Sequence, residues 1–209
     1  MLTAIVGINW GDEGKGRMVD LLSQSQDIVV RYQGGNNAGH TVVNERGKFI
    51  LNLLPSGILR KEITCVMGNG MCIDLQHLDK EINSLREKGI EITPENLKIS
   101  DRAVITMPYH VMIDGLEEKR LGANAFGSTK RGIAYVYGDK YMKKALRIGD
   151  LLDIPYLEKR LKGIVQFKSL EVEGVYGADP VKYDEMLAWL KKYAEIFRDY
   201  ICDTGVYLT

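Results

Sequence analysis

The sequence predicts an α/β protein whose largely parallel sheet is flanked by helices, with glycine-rich ligand loops at the carboxyl ends of its strands. An apolar run over residues 2–8 leads into a glycine-rich turn, a helical pattern over 14–22 and a second strand-like run over 27–32. Strand, glycine turn, helix and strand in this order form a βαβ unit, whose strands are parallel. A second glycine-rich loop follows the second strand. Because parallel strands end at one edge of a sheet, we expect both loops to face a single pocket there.

The rest of the chain adds strands and helices to this unit. Residues 41–43 and 48–51 flank the turn 44–47, which predicts a β-hairpin. Glycine, proline and apolar spacing predict strands over 63–67 (ended by Gly68-Asn69-Gly70) and 97–100, and helices over 74–88, 108–120, 155–167 and 180–198. A strand-like turn is predicted over 172–177, an irregular segment over 122–139, and no evident element over 201–209. Long irregular segments in compact domains are commonly functional.

Composition limits the classes of function. The 209 residues suffice for a substantial core, and 45% hydrophobic with 27% charged residues is ordinary for a globular protein. Lysine and arginine balance aspartate and glutamate at 28 each, which argues against a nucleic-acid partner. No apolar stretch is long enough to cross a membrane and no leader is evident, so we expect a cytoplasmic protein without a membrane partner. Cys65, Cys72 and Cys202 lack zinc or disulfide spacing and are expected to act as small hydrophobes.

The first glycine loop, Gly11–Arg17, has the chemistry of an unusual phosphate site. Its glycines allow backbone amides to approach an anion at a helix N-terminus, and Lys15 adds a positive charge. The spacing matches neither a Walker A loop nor a dinucleotide fingerprint. Asp12 would repel a phosphate unless it binds Mg²⁺ or transfers a proton. A tight strand-to-helix turn with surface charges is the alternative.

Two further segments are candidates for the same site. In Gly34–Thr41, Asn37 offers an amide, Gly39 a free carbonyl and His40 a titratable imidazole. Gly127–Ile133 combines hydroxyls, cations and glycine, which suits phosphate contacts or an ordinary solvated loop equally well. His77 and His110 fall in helical patterns, where we expect structural roles. The cations Lys143, Lys144 and Arg147 are typical of a solvated helix face, although one of them could contact an anion.

Several motifs, taken together and in order, resemble the adenylosuccinate synthetase family across essentially the whole chain. The long and specific ones are residues 10–16 (WGDEGKG) and 30–41 (VRYQGGNNAGHT). Shorter ones are Leu54–Leu59, Gly68-Asn69-Gly70, Gly127-Ser128-Thr129 through Gly132-Ile133, Tyr137 through Asp139-Lys140, and Leu146-Arg147 through Gly149-Asp150-Leu151.

The resemblance implies a ligase that uses GTP and Mg²⁺ to join IMP and L-aspartate into adenylosuccinate through 6-phosphoryl-IMP, the committed step toward AMP. It implies that Asp12 takes the N1 proton of IMP, that His40 stabilises the transferring phosphoryl group and the purine 6-oxygen as general acid, and that Lys15 is also catalytic. Phosphorylation makes the 6-oxygen a leaving group, and positioned charges stabilise phosphoryl transfer.

The resemblance also implies the contact residues. For GTP these are Gly11, Asp12, Glu13, Gly14, Lys15, Gly16, Arg17, Gly39, His40 and Thr41. For IMP they are Asp12, Glu13, Gly14, Lys15, Asn37, Ala38, Gly39, His40, Thr129 and Lys143, and for Mg²⁺ they are Asp12 and the Gly39 carbonyl. Lys143 stands where the family has an arginine that reaches IMP in the partner subunit of a homodimer, and lysine lacks the bidentate fork of arginine. Ala134-Tyr135 stands where many members have Gly-Pro.

Length is the largest departure from the family, whose members are roughly twice as long as this chain, against ~100–200 residues for a typical domain. The resemblance therefore implies that residues 1–209 are the N-terminal portion of a single domain. The aspartate-binding loop, the guanine site and a glutamine-containing IMP loop would lie in the other half, so we expect this chain alone to have little or no ligase activity. Two alternatives stay open: a phosphate-loop kinase or GTPase, and a non-catalytic IMP- or GTP-binding remnant.

Overall fold

The computed structural model describes residues 2–8, 13–44 and 47–209 of the chain. Within these ranges the strands are β1 (Ile28–Gly34), β2 (His40–Asn44), β3 (Gly47–Leu51), β4 (Thr64–Ile73), β5 (Leu97–Ser100), β6 (Val104–Ile105) and β7 (Ile201–Cys202). The helices are α1 (Lys15–Leu22), α2 (Leu75–Glu87), α3 (Pro108–Leu121), α4 (Ile133–Tyr141), α5 (Ile154–Tyr176), α6 (Tyr183–Phe197) and α7 (Thr204–Tyr207). Short 3-10 turns connect several of them.

A parallel sheet organises the fold, as predicted. Its strands follow the order β1-β4-β5-β7, and β6 pairs with the end of β4. All these pairings are parallel, with Val29 opposite Cys65 and Cys65 opposite Leu97. The predicted hairpin is confirmed as the antiparallel pair β2-β3, with Val42 opposite Phe49. The first glycine loop therefore leads into α1, and the second joins the end of β1 to the hairpin.

The core lies between the parallel sheet and the helices. Leu75, Leu78, Ile82 and Leu85 form the buried face of α2 at the spacing that predicts an amphipathic helix. Asp74 begins this helix by accepting a hydrogen bond from the His77 backbone N–H. Cys65 and Cys72 are buried and reduced, as expected of small hydrophobes, and burial raises the pKa of the Cys72 thiol to about 11.

The prediction of a buried strand over residues 2–8 is wrong for this structure. These residues form no strand, and Leu2, Val6 and Ile8 are 94%, 65% and 90% exposed. An apolar run becomes a strand only where a neighbouring strand satisfies its backbone groups. None of the strands formed by the described residues pairs with this run.

Two other predicted boundaries are wrong. Strand β4 continues through Gly68-Asn69-Gly70 and ends at Ile73. The glycines allow β4 to lie close to β1 at a register shift, because a Cβ on Gly68 would come within 3.1 Å of the Tyr32 Cα. The strand-like turn predicted over 172–177 is the last part of α5, which continues to Tyr176 and is followed by Gly177 in the left-handed conformation with φ 59°.

The prediction of an irregular segment over 122–139 is also wrong for the second half of that range. Helix α4 begins at Ile133, after Gly132 with φ 72°, and buries Val136 and Asp139. Its short apolar face has no clear period, which is why the pattern did not predict it. Residues 201–209, predicted to form no element, contain β7 and α7, because pairing with β5 stabilises even a two-residue strand.

Candidate functional site

The first glycine loop ends where α1 begins. Gly14 has φ 74°, a left-handed conformation that favours glycine, and its carbonyl accepts hydrogen bonds from the Arg17 and Met18 backbone N–H groups. Lys15 is exposed at the first helical position and forms an ion pair with Glu13. Glu13 therefore already neutralises Lys15 without a ligand. Gly11 and Asp12 lie outside the described residues.

A three-residue contact joins the first loop to the second. The His40 Nε2 lies 3.0 Å from the Ser56 Oγ, and the Ser56 hydroxyl donates to the Gly16 carbonyl at 3.1 Å. The His40 ring lies against Gly16 so closely that a Cβ there would clash with it. Since the single hydroxyl proton of Ser56 goes to Gly16, the neutral His40 ring carries its proton on Nε2 and leaves Nδ1 as an acceptor. The two motifs thus meet at one place, as predicted.

The surroundings of His40 favour its neutral form. Burial lowers the pKa of His40 below its ordinary value of 6.5, and the positive charge of Arg31 lowers it further. A bound phosphate would act in the opposite direction, since a nearby negative charge favours imidazolium. His40 can therefore gain a proton when an anion binds beside it.

Arg31 holds the start of the second loop. Its guanidinium donates to the Gly35 carbonyl at 2.9 Å and to the Asn52 carbonyl. Burial lowers the pKa of this guanidinium from its ordinary value, an effect that the Glu81 carboxylate opposes. Arg31 belongs to the motif that carries the family resemblance, but the contact residues predicted for that motif begin at Asn37. The signal in the sequence that could have identified Arg31 was a cationic residue within an otherwise apolar strand.

Glu81 is a second residue that the sequence analysis missed. This carboxylate of α2 is only 7% exposed and accepts hydrogen bonds from the backbone N–H groups of Asn52, Leu53 and Leu54 at 2.8–3.2 Å. It holds the segment that leads to Ser56, and thereby the partner of His40. Glu81 follows Leu78 by three positions on the apolar face of α2, and an acid on such a face indicates a buried role.

The tip of the second loop is open to solvent. Asn36 is 4% exposed and donates to the Asp74 carboxylate at 3.0 Å, which fixes the loop against the start of α2. Asn37, Ala38 and Gly39, predicted to contact IMP, are all exposed. A Cβ on Gly39 would come within 2.7 Å of the Asn52 amide nitrogen, so glycine allows this close approach. Thr41, the last predicted GTP contact of this loop, is exposed on β2.

Helix α4 lies beside the ends of β1 and β4. The Tyr137 hydroxyl donates to the Gly70 carbonyl and accepts from the Gly34 backbone N–H, both at 3.0 Å. Lys140 donates to the Asn69 carbonyl at 3.2 Å. The motifs at 68–70 and 137–140 are therefore adjacent in space, next to the start of the second loop.

The third candidate segment precedes α4. Glu118 of α3 accepts hydrogen bonds from the Phe126 and Gly127 backbone N–H groups at 3.1 and 3.0 Å, and Asp114 accepts one from Gly132 at 2.8 Å. Two carboxylates thus hold the segment at both ends, and Thr129 is exposed between them.

Lys143 lies beyond the other end of α4. It is exposed, with φ 61°, and its carbonyl accepts a hydrogen bond from Arg160 at 3.4 Å. The nine residues of α4 rise about 13 Å, so Thr129 and Lys143 lie near opposite ends of that helix. The predicted IMP contacts of one chain therefore fall into two separate places.

Two cavities of about 530 and 250 Å³ lie near the loops, and Arg131 of the third candidate segment lines the smaller one. None of the described residues predicted to contact GTP, IMP or Mg²⁺ lines either cavity. The larger is lined by Lys48, Ile50, Asn52, His77, Lys80, Glu81, Ser84, Leu85 and Lys88. The two glycine loops meet on an open surface, so the expected single pocket is not enclosed by the described residues. Within those residues no three histidine, cysteine, aspartate or glutamate side chains cluster as a metal site, and no helix is both long and apolar enough to cross a membrane.

Comparison with known proteins finds similarity along nearly the whole chain. The family model for adenylosuccinate synthetase matches residues 4–209. The adenylosuccinate synthetase of Carboxydothermus hydrogenoformans is 48% identical over 201 residues, and that of Geobacillus sp. (strain WCH70) is 45% identical over 204. The match covers 96% and 98% of this chain but only 47% of each relative. This chain thus spans about half the length of the curated relatives it matches.

Solved structures agree with this result. A fully ligated adenylosuccinate synthetase from Plasmodium falciparum superposes with a TM-score of 0.83 at 32% identity, covering 95% of this chain and 46% of that one. The succinoaminodeoxyadenylate synthetase of cyanophage S-2L, bound to dGMP and to dATP as an energy donor, matches at 26% identity with a TM-score of 0.52, covering 66% of this chain and 38% of that one. On its motifs, its fold and these matches, the chain belongs to the adenylosuccinate synthetase family.

Proposed function

We propose that this chain supplies one half of an active site that joins IMP and L-aspartate into adenylosuccinate with GTP as co-substrate. The observation that carries the proposal is the contact of His40 with Ser56 and Gly16, which brings both family motifs to one place. Helix α1 begins there with free backbone amides, which favour a phosphate. A phosphate-loop kinase or GTPase is set aside, since the family model spans residues 4–209.

The proposed reaction has two steps. In the first, Asp12 takes the N1 proton of IMP and the 6-oxygen attacks the γ-phosphorus of GTP, so that GDP leaves and 6-phosphoryl-IMP forms. In the second, the aspartate amine attacks C6 and inorganic phosphate leaves with the former 6-oxygen. His40 begins neutral and gains a proton as negative charge collects beside it, so that it can donate to the oxygen that must leave. Lys15, which pairs with Glu13 in this structure, turns its ammonium group toward the phosphates and stabilises their negative charge.

Mg²⁺ fits the residues proposed to hold it, Asp12 and the Gly39 carbonyl. Both offer hard oxygen atoms, and the absence of a Cβ at Gly39 is what lets its backbone lie against Asn52. Magnesium in nucleotide sites uses few protein ligands together with phosphates and water, so it needs no cluster of acids. The ion would neutralise phosphate charge during transfer.

The remaining proposed contacts divide between the GTP and IMP sides of the site, and one of them, Lys143, serves the partner subunit. Gly11, Gly16, Arg17 and Thr41 belong to the GTP-phosphate side, Asn37, Ala38 and Thr129 to the IMP side, and Glu13 and Gly14 to both. Lys143 lies beyond α4 from Thr129, which supports a homodimer in which Lys143 serves the partner's IMP site. We place this homodimer in the cytoplasm. Lysine gives that site a point charge without the two parallel hydrogen bonds of arginine.

The second candidate is an IMP- or GTP-binding remnant without catalysis, and the match covers about 47% of each curated relative. The test is to assay this chain alone with GTP, IMP, aspartate and Mg²⁺, and to measure IMP and GTP binding by calorimetry. We expect binding of IMP or GTP with little or no adenylosuccinate. Full turnover by the chain alone would contradict the half-site proposal, and no binding of either nucleotide would contradict both candidates.

A further inference from the structure

The larger cavity takes one wall from the outer face of the hairpin. Lys48, Ile50 and Asn52 line it at alternate positions along β3 and just past its end. Phe49 and Leu51, which stand between them, are 1% and 0% exposed in the core. Side chains alternate between the two faces of a strand, so one face of β3 packs on the core and the other forms the wall.

The opposite wall is one face of α2 and of the residue that follows it. The spacing of three and four positions places these side chains in one row: Lys80, Glu81, Ser84, Leu85 and Lys88. Lys80 and Lys88 are eight positions apart, which corresponds to about 12 Å along a helix. The two lysines therefore lie toward opposite ends of the cavity, with Leu85 between them.

Contacts at both ends join the two walls. At one end the Glu81 carboxylate accepts a hydrogen bond from the Asn52 backbone N–H at 2.8 Å. At the other end the Lys88 ammonium donates to the Lys48 carbonyl at 3.4 Å and lies 5.5 Å from the centre of the Phe49 ring. The space between these contacts measures about 530 Å³, which is large enough for a small organic ligand.

Positive charge is in excess around this space. Lys48, Lys80 and Lys88 are exposed at its rim, and within residues 2–8, 13–44 and 47–209 none of the three forms an ion pair with a carboxylate, unlike several other lysines. Glu81 is the one acid among the described lining residues, and its oxygens already accept the backbone N–H groups of 52–54. A concave surface with charges of one sign attracts ligands of the opposite sign.

We infer that this cavity binds a small organic anion that carries a phosphate group at each end. One phosphate would lie beside Lys48 and Lys88, and the other beside Lys80. Lysine contacts phosphate as a point charge, and each phosphate monoester carries a charge of about −1.5 to −2 near pH 7. The carbon chain of the ligand would lie along Ile50 and Leu85.

This site is separate from the proposed active site. None of the described residues predicted to contact GTP, IMP or Mg²⁺ lines the cavity. The inference therefore goes beyond the proposed function and does not rest on it. Asn52 connects the two places, because its side-chain amide lies close to Gly39 of the second loop.

The test is calorimetry on the 209-residue chain with hexane-1,6-diol bisphosphate and, separately, inorganic pyrophosphate. We expect the bisphosphate to bind at least threefold more tightly, because pyrophosphate reaches the cations at one end only. Lys80→Gln and Lys88→Gln should each weaken bisphosphate binding at least threefold, since each removes one partly solvated charge pair. The matched control is Lys162→Gln at an exposed position of α5, which should bind like the unmodified chain.

Two further variants separate this cavity from the first glycine loop and from misfolding. Lys15→Gln, in that loop, should leave bisphosphate binding unchanged. Ser84→Glu places a carboxylate four positions from both Lys80 and Lys88, so it should neutralise them and weaken binding at least tenfold. Because Ser84 is exposed, we expect this variant to keep its melting temperature.

The outcomes decide between the sites. The inference would be overturned by the absence of bisphosphate binding, by equal affinities of Lys80→Gln and Lys162→Gln, or by binding that only Lys15→Gln abolishes. Pyrophosphate that binds as tightly as the bisphosphate would overturn the two-ended site. Bisphosphate binding without binding of IMP or GTP would contradict the proposed function and leave the cavity site standing.

Discussion

Glu81 shows how one buried carboxylate can determine the geometry of a site that it does not touch. It accepts three consecutive backbone N–H groups at 52–54, and this segment leads to Ser56, the hydrogen-bond partner of His40. Charge-assisted hydrogen bonds of this kind are strong because the donors are fixed and little water competes. Glu81 therefore acts as a positioning residue for His40 in our account.

Glu81→Gln should lower the free energy of unfolding by about 1–3 kcal/mol, because an amide offers one acceptor oxygen and turns its NH₂ group toward backbone donors. Urea denaturation gives this number. Glu87→Gln at the exposed end of the same helix is the control and should change stability by less than about 0.5 kcal/mol. Equal effects at the two positions would show that the three hydrogen bonds contribute nothing measurable.

At the scale of elements, a buried ionic cluster joins three helices. His110 of α3 donates to Asp139 of α4 at 3.0 Å, and Lys168 of α5 donates to the same carboxylate at 2.9 Å. The three residues are 0%, 1% and 2% exposed. Burial raises the pKa of Asp139, but the hydrogen bonds from His110 and Lys168 outweigh it, so the net shift is downward. By fixing α4, the cluster positions the third candidate segment, which precedes this helix, and Lys143, which follows it.

Lys168→Met should destabilise the chain by about 3–5 kcal/mol, because it leaves the buried Asp139 charge without its cation. The control is Lys191→Met, which removes an ion pair with Glu158 whose side chains are 48% and 39% exposed, and should cost at most about 1 kcal/mol. Both values come from chemical denaturation. If the two variants lost the same stability, the cluster would not be what holds these helices.

His110 makes the stability of these helices depend on pH. Its Nδ1 accepts the Met107 backbone N–H at 2.9 Å, which fixes the proton on Nε2, and burial lowers its pKa below 6.5. The unfolded chain therefore binds a proton at a higher pH than the folded chain does. This contribution is present above about pH 6.5 and is lost as the pH falls below it. The pKa of His40 is also lowered, so this residue changes the stability with pH in the same direction.

We expect the free energy of unfolding to fall between pH 7.5 and 5.5, and His110→Asn to flatten the slope while keeping an acceptor for the Met107 N–H. The slope that His40 contributes should remain. Denaturant titrations at four or five pH values measure both curves. Asp139 does not contribute to either slope in this range, because its lowered pKa makes it titrate only at lower pH. An unchanged slope in His110→Asn would mean that this ring does not titrate on unfolding.

At the scale of the whole molecule, the sequence predicted what local pattern determines. The hairpin, β1, α2 and α6 follow from periodicity and turn residues. The two glycine loops meet through the His40–Ser56–Gly16 contact, although residues 2–8 form no strand. The prediction of a strand over residues 2–8 was wrong because burial of a strand depends on neighbours that are distant in sequence. The backbone partners of Glu81 and the contacts within the His110–Asp139–Lys168 cluster could not be predicted for the same reason, since they join residues 27 to 29 positions apart.

In our proposal, the loops that meet at His40 form half of an active site that a second half completes. The most direct measurement is adenylosuccinate formation from GTP, IMP and aspartate by this chain co-purified with the second half of a relative's synthetase. We predict turnover that His40→Asn reduces by at least a hundredfold and that His77→Asn, outside both loops, leaves within a factor of two. Turnover that survives His40→Asn, or no turnover from a stable complex of the two halves, would contradict the account.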